Sequence, residues 1–329
     1  MVDMSDDLQE QYDVVVIGGG AAGLNGALML ARSRRSVVVL DAGRPRNAPA
    51  QGVHGLLGRE GMAPSELLER GRSEVRSYGG HVVTAEVVGV VREDGSFVVS
   101  LADGRSVHAR RLLVASGLVD RLPDVPGLAD RWGRDVLHCP YCHGWEVRDR
   151  AIGILGSGPS SHHQALLFRQ LSEDVVYFTH QAPLDEEQTE QLFALGVRIV
   201  DDPVVAVEVA DDRLSGVVLA GGEVVAREAL AVATRMEARV SHLAGLGITA
   251  EEHPAGVGMH IPTDAFGRAE VPGVWVAGNG TDLTAQVGAS AAQGALAGAQ
   301  INADLALEDA MAAVAARRGT ADLLGASRS

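Results

Sequence analysis

Both cysteines of the chain, Cys139 and Cys142, lie in the stretch His138-Cys139-Pro140-Tyr141-Cys142-His143. Two thiols at this spacing can cycle between dithiol and disulfide, supply half of a zinc site, or anchor a haem. Haem attachment fits the Cys139-x-x-Cys142-His143 order. That reaction follows export, however, and the N-terminal MVDMSDDLQEQ is acidic and shows no apolar signal run. Zinc asks for four ligands, and the sequence holds no second such pair. A redox disulfide is the expectation, with zinc, haem and an inert pair kept as alternatives. The nucleophile would be a thiolate, so something must lower a thiol pKa. Pro140 suits the first position of a helical turn, which would set Cys139 at the positive end of that turn.

The elements that must position this pair can be read on either side of it. Residues 12–17 (YDVVVI) form a buried parallel strand. GGGAAG and an Ala/Leu-rich helix to about Arg32 follow, then a second strand at 36–43 that contains Asp41. This is a βαβ unit with a dinucleotide fingerprint. Gly18 permits the tight turn, Gly20 lets backbone approach a pyrophosphate, and Gly23 lets helix and strand pack closely. The helix N-terminus attracts phosphate, and Asp41 would accept hydrogen bonds from a ribose. Residues 80–114 read as antiparallel strands with Asp-Gly turns at 94–95 and 103–104. The run at 112–117 returns to a buried strand.

After the cysteines the plan repeats: AIGILGSGPSS, a helix, a strand at DVVYF and a second meander. VPGVWVAG supplies a closing strand at 274–277, and a long small-residue helix follows it. The stripe GASAAQGALAGAQ reads as close helix packing. The tail 316–329 reads as frayed.

Composition narrows the function. Lys and Arg total 28 against 43 Asp and Glu, a net charge of −15. Such a chain is repelled by nucleic acid and by anionic membranes, so no nucleic-acid or membrane partner is expected. No run of 18 or more apolar residues is present. A cytoplasmic location is the expectation.

This order of motifs resembles the low-molecular-weight thioredoxin reductases, flavoproteins with two dinucleotide folds. The likeness covers about 12–305 and rests on GGGAAG (18–23), VASG (114–117), CPYC (139–142), GSGPSS (156–161) and VWVAGN (274–279). It implies an α/β fold of two Rossmann-like dinucleotide-binding domains, each a three-layer ββα unit, the second inserted into the first. The implied boundaries are 12–120 for the first part of an FAD domain, 121–243 for a nicotinamide-type domain carrying the cysteines, 244–315 for the rest of the FAD domain, and 316–329 for the tail. It also implies that FAD contacts Gly18, Gly20, Gly23 and Asp41, then Asn47 and His54 on a following loop. Gly117, Gly278, Asn279 and Gln286 would complete that site. Cys139 would be the outer cysteine that exchanges with a partner, and Cys142 the inner one facing the flavin. A homodimer is expected from the same likeness.

Three departures redirect the activity. The family's aspartate after the second cysteine is here His143, its C-terminal Gly-Asp is Gly278-Asn279, and its arginine-rich segment after the second fold's strand reads YFTHQAPLDEEQ, without arginine. A 2′-phosphate calls for cationic partners, and His180 alone is a poor one, so NAD(P)H use is in doubt. Ser161, His162 and His163 also make the second phosphate turn bulky. CPYCHG and the AGN ending resemble the flavin-dependent dithiol oxidases that close disulfides in natural products of the gliotoxin and holomycin type. The implied substrates are a small-molecule dithiol and O₂, with hydrogen peroxide formed. The implied alternative is an NAD(P)H-dependent thioredoxin or disulfide reductase. In the oxidase direction His143 would accept the substrate's protons, with His138 as a second candidate base.

Overall fold

The structure, a computed structural model, describes residues 8–326. The first unit opens with β1 (Gln11–Ile17), α1 (Ala21–Arg32) and β2 (Val37–Asp41), the expected βαβ order. The Val, Ile and Leu run of each strand is covered on both faces, as parallel strands require. The helix α2 (Pro64–Ser77) leads to β3 (His81–Thr84), which lies parallel beside β2. The sequence signals α2 only weakly, because it buries only Pro64, Leu68 and Val75 and most of its other residues are polar. A meander follows in β4 (Val87–Glu93), β5 (Ser96–Leu101) and β6 (Ser106–Val114). β6 pairs antiparallel with β5 over its first half and lies parallel to β1 along most of its length.

The chain leaves this unit along β7 (Leu118–Arg121). The second unit holds β8 (Val136–Leu137), the single turn α3 (Pro140–His143), β9 (Ile152–Leu155), α4 (Ser161–Arg169), β10 (Val175–Phe178), α5 (Glu186–Ala194) and β11 (Arg198–Val200). Its meander is β12 (Val204–Ala210), β13 (Arg213–Leu219) and β14 (Val224–Ala226), and β15 (Ala229–Val232) returns to the sheet centre. That sheet runs β11-β10-β9-β15-β8, parallel throughout. β16 (Arg235–Ala238) carries the chain back, antiparallel to β7, with Arg235 opposite Arg121 and Ala238 opposite Leu118. The second α/β unit is therefore inserted into the first through two adjacent strands. Small strands β17 (Glu251–Glu252) and β18 (Gly258–His260) extend this crossing sheet.

β19 (Val274–Val276) completes the first unit's parallel sheet beside Leu112–Val114 of β6. Alternate residues of β1, β2 and β6 feed two cores, one on each face of that sheet. The long helix α6 (Val287–Ala326) packs on α1 through its glycines. A Cβ on Gly294 would stand 1.9 Å from the Ala22 carbonyl oxygen, so backbone meets backbone here. The 316–329 stretch, expected to fray, stays helical through Ala326, in line with its Ala- and Leu-rich sequence. Among the described residues no helix is long and apolar enough to cross a membrane.

Candidate redox and cofactor site

Cys139 and Cys142 are joined as a disulfide, with Cα atoms 5.2 Å apart. The local sequence fixes this. Pro140 takes the first helical position of α3, Cys139 is the N-cap, and its sulfur accepts the Cys142 N–H at 3.2 Å. That N–H would favour a thiolate on Cys139 once the pair is reduced. Among the described residues, no cluster of three or more His, Cys, Asp and Glu side chains has metal-site geometry.

Both flanking imidazoles lie at the disulfide and line the same cavity. His138 Nδ1 lies 3.1 Å from the Val232 carbonyl oxygen, which can only accept, so Nδ1 carries the proton and Nε2 the lone pair. Burial, helped by the Arg46 cation, holds His138 below the ordinary histidine value against the opposing pull of Asp120. Burial also lowers His143, partly offset by Glu146, and its Nε2 is buried without a partner. Each imidazole is thus a neutral acceptor near pH 7.

The cavity, about 1180 Å³, runs from the first fingerprint to the disulfide. Its wall includes Gly18, Gly20, Asp41, Asn47, Gly117, Gly278, Asn279 and Gln286 together with both cysteines and both imidazoles. Gly18 has φ +105°, and a Cβ there would meet the Ala115 carbonyl oxygen at 2.3 Å. Gly20 is the N-cap of α1 with no side-chain cap, and a Cβ on it would point into open space. This leaves a bare helix N-terminus facing a long cavity, which fits the pyrophosphate of FAD. Asp41 accepts the Gly43 N–H at 3.1 Å and pairs with Arg72 at 3.2 Å.

Two of the expected cofactor residues stand apart from this wall. Gly23 packs against the Gly18 carbonyl oxygen, the close-packing role its spacing implied. His54 does not line the cavity, because Glu60 takes its Nδ1 at 2.6 Å and its Nε2 turns toward Glu146. Asn279 also differs from expectation. Its amide nitrogen donates to the carbonyls of Asp282, Leu283 and Ala285 at 2.9 to 3.3 Å, leaving only the amide oxygen for a ligand. The two N–H groups are shared among the three carbonyls, to which an aspartate could not donate.

Sequence reasoning missed four residues. Arg46 and Asp120 face the cavity as an ion pair, and Thr234 donates to Asp120 at 2.7 Å. Arg239 lines the cavity, and its side chain has no hydrogen bond or ion pair among the described residues, so a cation is available to an anionic ligand. Only the Arg-x-Arg-Asn run at 44–47 gave any local signal.

In the second fingerprint, Ser161 is fully buried and its Oγ accepts the N–H groups of Ser157 and Gly158 at 3.1 and 3.2 Å. Pro159 contributes no N–H at all. His180 holds both ring nitrogens buried without partners, so it presents no cation to a phosphate. The adjoining cleft is small, about 300 Å³.

A dinucleotide cavity in one unit, closed by a disulfide delivered from the other, defines a flavin-type disulfide oxidoreductase architecture. The chain belongs to the pyridine nucleotide-disulphide oxidoreductase family, whose profile matches residues 12–299. The crystal structure of HlmI superposes with a TM-score of 0.89 at 46% identity, covering 95% of this chain and 98% of that one. An oxidoreductase from Agrobacterium tumefaciens gives 0.84 at 34% identity over 90% and 99%. Among curated relatives, thioredoxin reductase tcpT of Claviceps purpurea is 37% identical over 45% of this chain and 47% of its own length. Thioredoxin reductase sirT of Leptosphaeria maculans is 31% identical over 62% and 67%. The chain spans about half the length of the first curated relatives it matches.

Proposed function

We propose that this protein is an FAD-dependent dithiol oxidase that closes an intramolecular disulfide in a small-molecule dithiol, with O₂ as the electron acceptor and hydrogen peroxide as the co-product. The observation that carries this reading is the second fingerprint. Ser161 occupies the N–H donors a nicotinamide dinucleotide would need, while the disulfide faces the intact first fingerprint.

Bound FAD would supply the two-electron acceptor that links thiol chemistry to O₂. The chain's own residues do the rest. A histidine at the disulfide takes the proton of the substrate's first thiol. The resulting thiolate attacks the Cys139 sulfur, so that a mixed disulfide forms there while the Cys139–Cys142 bond breaks and Cys142 leaves as a thiolate. The Cys142 N–H stabilises negative charge on the Cys139 sulfur. The substrate's second thiol, deprotonated in turn, displaces the cysteine and closes the ring.

The test mixes the yellow, oxygen-free protein with a small dithiol and, separately, with NADPH. Bleaching by the dithiol alone is expected. Bleaching by NADPH alone reverses the reading to an NAD(P)H-dependent disulfide reductase, the activity named for the thioredoxin reductase relatives.

A further inference from the structure

The carboxylates and guanidinium groups that line the cavity are matched in pairs, with one cation left over. Asp41 pairs with Arg72 at 3.2 Å, and Glu86 with Arg44 at 2.6 Å. Arg46 holds Asp120 at 2.7 Å, and Arg121 holds Glu237 at 2.8 Å. Arg239 lies on the same wall, yet among the described residues its guanidinium has neither an ion pair nor a hydrogen bond, and its Nε is buried. A half-buried cation without a counter-charge is costly, and an anion bound in the cavity would remove that cost.

The backbone fixes where this cation starts. Arg239 follows β16, and its N–H donates to the Gly117 carbonyl at 3.0 Å. Its own carbonyl accepts the Ser116 hydroxyl at 3.1 Å. Ser116 adjoins Ala115, whose carbonyl oxygen closes on the Gly18 turn, and Asp41 Oδ2 would stand 2.5 Å from a Cβ on Gly19 of the same turn. Arg239 therefore springs from the strand end that supports the first fingerprint. His242, three residues on, is 8% exposed, lines the same cavity and has its Nε2 buried without a partner. Burial, and then the Arg239 charge, hold it below the ordinary histidine value, so it adds no second cation near pH 7.

We propose that Arg239 is a cofactor-binding residue that pairs with the diphosphate of FAD, adding a cation to the bare N-terminus of α1. The diphosphate carries the negative charge of that cofactor, while its isoalloxazine, ribityl, ribose and adenine groups are neutral near pH 7. A planar guanidinium offers paired N–H groups to phosphate oxygens. Arg239 stands past the inserted unit, at the root of the two strands that carry it, where Ala238 lies opposite Leu118. The same contact thus braces that root against the first unit. The inference rests on FAD as the cofactor and not on the direction in which the disulfide reacts.

The test is equilibrium dialysis of the flavin-loaded protein, with released FAD read by its fluorescence. Arg239→Gln is expected to weaken FAD binding roughly 10- to 100-fold, the range of a charge-assisted hydrogen bond. Arg239→Lys should recover part of that loss, since a phosphate accepts a point charge. Added salt should weaken binding more in the parent than in Arg239→Gln, because screening acts on the pair that the variant lacks. Unchanged affinity in Arg239→Gln, or equal losses in the Gln and Lys variants, overturns the proposal.

Thermal melting separates binding from folding. Arg239 is unpaired without its anion, so flavin-stripped Arg239→Gln should melt no lower than the flavin-stripped parent, while excess FAD should raise the parent's melting temperature more. Failure of Arg239→Gln to fold, or an equal lowering with and without FAD, makes the residue structural and overturns the proposal. A kinetic arm asks whether the anion is the substrate's. Unchanged FAD affinity with a raised KM for dihydrolipoate, a carboxylated dithiol, but not for neutral dithiothreitol would assign the cation to substrate instead. If no dithiol bleaches the parent, the functional reading fails, and the dialysis still decides the role of Arg239.

Discussion

Arg46 grips Asp120 through two parallel hydrogen bonds, Nε to Oδ2 and Nη2 to Oδ1, each 2.7 Å. Arg46 comes from the loop after β2 and Asp120 from the strand that leaves the first unit. The pair ties the cavity wall to the crossing strands, and Thr234, next to the returning strand, is bonded to the same carboxylate. Burial pushes Asp120 up, but Arg46 and Thr234 outweigh it and hold the carboxyl below its ordinary value.

Breaking this pair should destabilise the fold. Asp120→Ala leaves Arg46 without its carboxylate and Arg46→Ala leaves a buried charge, each costing roughly 3 kcal/mol. The double variant should lose less than the sum. Because the native carboxyl is depressed, the pair's contribution is present above about pH 4 and fades as pH falls through the native value. Urea unfolding at pH 7 and below pH 4 measures both effects; additive losses, or a cost that persists in acid, would refute the assignment.

Each cysteine should be indispensable to turnover and dispensable to cofactor binding. Cys139→Ser and Cys142→Ser are expected to lower dithiol oxidation by at least about 10³-fold, since neither variant can form the disulfide that the substrate thiolate attacks. Both variants should purify yellow, because the fingerprint that holds FAD is untouched. In the reduced parent, mass spectrometry should find iodoacetamide on Cys139 first, because the Cys142 N–H favours its thiolate. Preferential labelling of Cys142 would contradict the proposed order of attack.

Ser161 should be a structural plug in the second fingerprint. Ser161→Ala strands the N–H groups of Ser157 and Gly158 and should cost about 1–3 kcal/mol. The parent should show no heat of binding to NADH or NADPH by calorimetry. Micromolar binding of either would mean that the donors are free enough for a pyrophosphate.

Two depressed histidines give a pH signature. Burial keeps His138 and His143 below the ordinary value of about 6.5, so both protonate only in more acid solution. The acid limb of kcat/KM should therefore lie below pH 6.5. Between that value and the native one the unfolded chain binds more protons than the folded chain. Stability from these groups is thus full above about pH 6.5 and declines as pH drops through that window. Melting temperature against pH, compared with His143→Gln, reads the effect; an acid limb above pH 7 would exclude both residues as the base.

Much of this was legible in the sequence because it is local. Gly18, Gly20 and Gly23 carry their geometry in a six-residue run, and Pro140 sets Cys139 as a cap within one turn. The Ser161 position looked bulky, yet its hydroxyl reaching back to the turn's own N–H groups depends on a rotamer that spacing does not encode. Arg46 and Asp120 stand 74 positions apart and meet only because β7 runs under the loop after β2. His54 fell near the flavin loop by position, but Glu60 and Glu146 turn its ring away from the cavity. The sequence offers Asn279 as a ligand amide, whereas three carbonyls of its own loop claim the nitrogen.

The placement of β19 has a consequence for biosynthesis. The central sheet of the first unit waits for residues 274–276, and α1 waits for Gly294 and its neighbours, long after β1 has left the ribosome. The inserted unit is contiguous and short, so it can finish while its host is still open. Nascent chains halted before the closing strand should hold a protease-resistant middle between two unprotected flanks, and the yellow colour should arrive only with the final fifth of translation.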